Sequence, residues 1–220
     1  MDPASDWVSA LGRRVLTIEV DTVQYVGATI PIIGTADCTL AVWVKSPPSG
    51  FGSAGRRPFY FGVSSLGVAT AGGLLLRWND YADNFRCYEG YDAYESAAGT
   101  FPDDRWALTT LIRANGRLQI YADATLVHDA ANAGVNVDNT DVHVGNKDAD
   151  NDDFSEQFAD PMIWRRGLCP AEIQQLADPS NVMLSGLIEP IVRRAWWFTG
   201  GAGASIIPRI MHHRRMMGVS

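Results

Sequence analysis

The sequence predicts an all-β chain folded as a two-sheet antiparallel sandwich. Between residues 39 and 164, short runs rich in β-branched and aromatic residues recur, bounded by Gly, Pro, Asn or Asp. An Asn-Gly pair separates two alternating segments, the pattern of a tight hairpin. The runs follow one another without long helical periods between them, which argues against a parallel sheet.

The elements follow in order. TLAVWVKS (39–46) lies between Asp-Cys and Pro-Pro breakers and reads as a strand buried on both faces. SPPSGFGSAGRRP (46–58) reads as a long loop, after which FYFGVS resumes extended structure. GGLLLRWND and NFRCYEGY are two strands joined by a polar turn over 80–83. In RWALTTLIRANGRLQIYADATLVHDA, Trp106, Leu108, Thr110 and Ile112 share one face, and Leu118 and Ile120 resume the alternation after Asn115-Gly116. Both turn positions tolerate positive φ, which suits a type I′ turn. DVHVGN is a further strand, and FADPMIWRR alternates Phe158, Met162 and Trp164, with Asp160 interrupting.

A short helix closes this series. Pro170 suits the first helical turn, where its missing N–H is no loss. Ile173 and Leu176 are three residues apart and share a face, and Asp178-Pro179 ends the helix. About eight residues cannot hold a helix unaided, so packing against the sandwich must.

In this order, TLAVWVKS, RWALTTLIRANGRLQIYADATLV, VHVGN and FADPMIWRRGLCPAEIQQL resemble the successive signatures of the laminin-G-like, concanavalin A-like lectin/glucanase family. The resemblance covers about residues 20–178. It implies a two-sheet antiparallel jelly-roll sandwich with one short rim helix and an extended C-terminal tail. The division expected is an N-terminal arm (1–19), the jelly-roll domain (20–178) and a basic, aromatic extension (179–220). Two departures stand out. Ala124 replaces the glycine expected after Asp123, so a different turn is expected there. Cys169 replaces the serine that would cap the helix, a loss of about 1 kcal/mol. ADPSNVMLSGLIEPIVRRAWW is similar to the tails of such domains in phage and prophage-encoded proteins.

The net charge of −7 argues against a dedicated nucleic-acid binder. Residues 190–220 hold five arginines and no acid, leaving −12 on residues 1–189. A basic tail on an acidic body suggests docking, with a merely solvated tail as the alternative. Cys38, Cys87 and Cys169 are widely spaced and odd in number, which reads as buried free thiols rather than a disulfide framework or zinc site. The N-terminus shows no secretion signal, and no apolar run reaches membrane-spanning length. Synthesis in a host cytoplasm is expected.

No catalytic set emerges. Glu89, Asp92 and Glu95 in EGYDAYE are three apart, so in one strand Asp92 would face away from the other two, unlike the alternating acids of the family's glucanases. They read instead as a solvated acidic face. In NKDADNDDFSE, Asp148, Asp150 and Asp152 could supply oxygen ligands to Ca²⁺, which the resemblance associates with a rim site. The EF-hand pattern fails at Asp153 and Ala159, and a hydrated acidic loop is the alternative. No other cofactor is implied. Trp43, Trp106 and Trp164 read as core. Trp78, Tyr81, Tyr91 and Tyr94, with Tyr88, form an aromatic cluster suited either to stacking on sugars or to plain packing. Arg193, Arg194, Trp196, Trp197, Arg209, Arg214 and Arg215 are the candidate docking residues.

Three functions compete. The first is a non-enzymatic virion protein, decorating a capsid or associated with a tail and anchored by its extension. Its partners would be the major capsid or other virion proteins and further copies of itself, with no nucleic acid or membrane. The second is a carbohydrate-binding module that takes a surface glycan. The third, a glycoside hydrolase, is disfavoured by the carboxylate spacing.

Overall fold

The computed structural model describes residues 24–45, 60–64, 69–79, 84–97, 105–146 and 157–178, with short strands at 7–8, 15–17 and 197–198. Among the described residues, fourteen strands form two seven-stranded sheets in which neighbours pair antiparallel. Sheet one runs, in spatial order, β1 (Trp7–Val8), β2 (Val15–Thr17), β13 (Gln157–Trp164), β4 (Cys38–Lys45), β9 (Trp106–Ala114), β10 (Arg117–Ala122) and β11 (Thr125–Ala131). Sheet two runs β14 (Trp197–Phe198), β3 (Gln24–Thr29), β12 (Asp141–Asn146), β5 (Tyr60–Val63), β6 (Leu74–Asn79), β7 (Asn84–Glu89) and β8 (Asp92–Glu95). The helix is α1 (Pro170–Ala177). Strands thus come both from the stretch read as an N-terminal arm and from the basic extension.

The interior core lies between the sheets. Leu40, Val42 and Val44 of β4, Leu111 of β9, Leu118 and Ile120 of β10, and Phe61, Leu74, Leu76 and Phe85 of sheet two meet there. The intervening residues of β4 and β9 are buried as well, under α1. Ala41, Trp43, Leu108, Ile112, Tyr121 and Trp164 project from the outer face of sheet one and pack with Ile173 and Leu176. Each of those two helical side chains contributes about 1.5–3 kcal/mol by burial, which replaces the stability a short helix lacks alone. This explains why residues 40–44 (LAVWV) are apolar without alternation, and why Trp43 and Trp164 are buried and Trp106 half-buried.

The local irregularities have chemical causes. Asn115 and Gly116 adopt φ of 52° and 72°, as a type I′ hairpin requires. Asp123 and Ala124 adopt φ of 45° and 67°, so Ala124 takes the left-handed backbone usually left to glycine. The turn did not change to suit alanine, contrary to expectation. The Asp123 carboxylate holds it by accepting the Leu108 N–H at 2.8 Å, while the Asp123 N–H donates to the Leu108 carbonyl at 2.9 Å. Asp160, with φ of 47°, marks a bulge where the β13 register against β4 shifts between Ala159 and Met162.

At α1, the Glu172 carboxylate accepts the Cys169 N–H at 2.9 Å, the glutamate arm of a capping box, which satisfies the N-cap donor itself. The Arg166 guanidinium, bidentate to Glu172, holds that carboxyl down at about 2, well below its usual range, and the Cys169 N–H adds to the effect. Cys38 and Cys87 are buried, as expected; Cys169 is exposed, because it precedes the helix on the surface. Burial pushes the Cys38 thiol up to about 11 and raises Cys87 further.

Candidate binding rim

One end of the sandwich gathers connections from both sheets. β3 ends and β4 begins across residues 30–37, β5 leads to β6 through 69–73, β7 turns into β8 at Gly90-Tyr91, and β11 reaches β12 through 132–140. Backbone bonds tie these segments together. Gly34 and Val137 exchange a pair of bonds at 2.9 and 3.0 Å, Ile30 N–H donates to the Thr140 carbonyl at 2.8 Å, and Gly90 N–H donates to the Gly73 carbonyl at 2.9 Å.

Beneath them lies an ion pair that one-dimensional spacing did not reveal. Arg113, the inward-facing residue two beyond Leu111 on β9, is 1% exposed, and Glu89 at the end of β7 is fully buried. The Arg113 guanidinium donates to Glu89 Oε1 at 3.4 Å, to the Val135 carbonyl at 2.9 Å, and to the Gly34 and Ala36 carbonyls at 2.7 and 2.8 Å. Glu89 in turn accepts the Ala133 N–H at 2.6 Å and the Val135 N–H at 3.3 Å. Two buried charges are tolerable only when paired and hydrogen-bonded in this way. The outcome is that loops 30–37 and 132–137 and the β7–β8 turn share one anchor. Glu89 is therefore no part of a solvated acidic face. EGYDAYE is a strand, a tight turn and a second strand, with Glu89 in register with Asp92; Asp92 and Glu95 are exposed, and Glu95 pairs with Arg86.

Above this anchor the surface carries mixed chemistry. Tyr91 at the β7–β8 turn is 72% exposed and Ile32 is 53% exposed. Asp37, Asn136 and Asp138 are exposed, and Asn139 and Thr70 are half-buried. The Asn139 amide donates to the Thr70 hydroxyl at 3.2 Å. Asp138 lies close over Gly72, so a side chain at that position would have to push its carboxylate aside. The signal for these residues was loop chemistry between strands, too dispersed in sequence to be read as one surface.

Among the described residues, the aromatic candidates do not share one surface. Tyr91 is on this rim. Tyr94 is half-buried, packed on the interior core and edge-on to His128. Trp78 pairs in register with Phe85 at the far end of the β6–β7 hairpin, away from Tyr91. The half-buried Tyr88 hydroxyl accepts from Arg77 and Arg86 at 2.9 and 3.1 Å. Tyr81, Asp148, Asp150, Asp152, Arg193, Arg194, Trp196, Arg209, Arg214 and Arg215 lie outside the described residues. The Trp197 backbone pairs with Gly27 of β3, so this part of the extension joins the chain's own sheet. Among the described residues, no three His, Cys, Asp or Glu side chains form a group able to hold a metal. No helix among them is long and apolar enough to cross a membrane.

The chain is similar to several solved structures. They include the botulinum neurotoxin serotype D binding domain (11% identity, TM-score 0.59, 76% of this chain and 42% of that one). A heptameric SAP-like pentraxin from Limulus polyphemus aligns at 12% identity and TM-score 0.63, covering 86% of this chain and 93% of that one. The binding domain of Paraclostridial Mosquitocidal Protein 1 aligns at 11% and 0.59, covering 79% and 45%. The chain thus spans less than half the length of the toxin binding domains. No curated protein matches it in sequence. Residues 21–174 match the laminin-G-like family described as the concanavalin A-like lectin/glucanases superfamily, and to that family the chain belongs.

Proposed function

We propose that the chain is a non-enzymatic, lectin-like binding module that takes a carbohydrate on the rim formed by residues 30–37, 69–73, 90–91 and 132–140. The observation that carries this reading is the buried Arg113–Glu89 pair, which fixes three of those segments while Tyr91 stays exposed above it. Binding groups on loops gain affinity when the loops are held in place beforehand. Tyr91 offers a ring face for a sugar, and Asn136, Asp138 and Asp37 offer acceptors and donors for hydroxyls. Several similar structures are named as toxin binding or receptor-binding domains, which supports a recognition role for this fold. A non-enzymatic role agrees with Glu89, the most buried acid of EGYDAYE, being spent on a structural ion pair.

The virion role rests on the family likeness and on the basic, aromatic tail of an acidic body, and nothing in the similar structures adds to it. A glycan array with the full chain tests the binding reading. Hits are expected that weaken about tenfold in Tyr91→Ala, the loss of one stacking contact. They should persist in chelator. An array without hits, or hits indifferent to Tyr91→Ala, contradicts the reading, as do hits abolished by chelator, which would point to the acidic loop of Asp148, Asp150 and Asp152.

A further inference from the structure

β8 and β11 are the last strands of their sheets on one side of the sandwich, where they meet. His128 of β11 sits in that seam. It is in register with the buried Ile120, and its ring meets the Tyr94 ring of β8 edge-on, with centroids 6.1 Å apart and planes at 65°. His128 Nε2 is buried and has no hydrogen-bond partner. An unpaired imidazole nitrogen is tolerable while it is a bare lone pair; as an N–H of a cation it is not.

We propose that His128 is a pH-sensitive wedge: its protonation opens the β8–β11 seam and loosens the rim segment 132–137 that follows β11. Among the described residues, no neighbouring group is placed to accept the new N–H. On β8, Tyr94 presents a ring edge and its hydroxyl lies within reach of the Ala133 backbone, while Asp92 and Glu95 are exposed and Glu95 is paired with Arg86. On β7, Cys87 is a buried thiol held protonated, and Glu89 is committed to Arg113 and to the Ala133 and Val135 N–H groups. On β10, Arg117 adds positive charge, and Asp129, next in the chain to His128, turns to it at 2.9 Å.

Burial holds the His128 imidazole below its ordinary value, against a smaller opposing pull from Asp129. For a base depressed in the folded state, stability is fully present above the unfolded value of about 6.5 and declines as pH falls below it. The effect reaches the rim because Ala133 and Val135, just beyond β11, donate to Glu89.

Amide hydrogen exchange on the full chain, corrected for intrinsic rates, tests this between about pH 7.5 and about pH 5.0. The wild type is expected to lose protection in 92–95 and 125–137 as pH falls, and His128→Phe, which keeps a ring against Tyr94, to retain it. The same pH dependence in both proteins overturns the proposal. Should His128→Phe not fold, the titration of the His128 ring proton in the wild type decides. A midpoint below that of an ordinary histidine, with Tyr94 resonances shifting at the same midpoint, supports the proposal; a midpoint at or above it overturns it.

Discussion

Arg113 and Glu89 join the two sheets from within, one on β9 and the other on β7, with Arg113 Nη1 3.4 Å from Glu89 Oε1. Removing either partner alone strands the other charge where water cannot reach it. Arg113→Met and Glu89→Leu are each expected to lower unfolding free energy in denaturant by about 3–5 kcal/mol. The double variant is expected to recover part of that and no more. The Val135 and Ala36 carbonyls lose the guanidinium donor in it, the Gly34 carbonyl keeps only the Val137 N–H, and the Ala133 and Val135 N–H groups lose their acceptor.

Ala124 makes an opposite prediction. Its φ of 67° places a Cβ where left-handed backbone disfavours one. Ala124→Gly is expected to raise the denaturation midpoint, by up to about 1 kcal/mol after the added freedom of glycine in the unfolded chain is offset. An unchanged or lower midpoint would show that the turn is held for other reasons.

The Glu172 cap predicts an acid response. Its carboxyl sits at about 2 in the folded protein through the bond from Arg166, against an ordinary value of 4.5. A depressed carboxylate contributes stability that is present above the unfolded value and lost as pH falls from there through about 2. Glu172→Gln is expected to cost about 1 kcal/mol near neutral pH and to narrow its deficit over that acid window. Equilibrium unfolding of both proteins at several pH values checks the sign.

Thr39 predicts a loss at the root of the helix. Its buried hydroxyl donates to the Arg166 carbonyl at 2.9 Å and accepts the Leu168 N–H at 3.0 Å, fastening β4 to the segment that enters α1. Thr39→Val keeps the shape and orphans both groups. A cost of about 1–3 kcal/mol is expected in thermal or chemical unfolding.

β4 to β7, β9, β10, β12, β13 and the helix were legible because period-two alternation, Asn115-Gly116 and Pro170 act through neighbours in sequence, whereas β3 and β8 were not read as strands. Even the interruption at Asp160 had a local meaning, since it is the β13 bulge. β1, β2 and β14 were not legible: two or three residues cannot display a period. The rim was largely hidden for a different reason. Glu89 and Arg113 are 24 residues apart and meet only when the two sheets close on each other. Acids read by spacing alone suggested a solvated stripe, whereas the turn at Gly90-Tyr91 separates Glu89 from Asp92 and Glu95. Tyr91 was found by residue type, and its supposed neighbour Tyr94 faces the interior core instead.

The rim itself is tested most directly by amide chemical-shift mapping of the full chain titrated with the strongest glycan from the array. Shifts are expected to concentrate in residues 30–37, 69–73, 90–91 and 132–140, around Tyr91. Shifts confined to the far end of the sandwich, near Trp78 and the Asp123-Ala124 turn, would contradict the account.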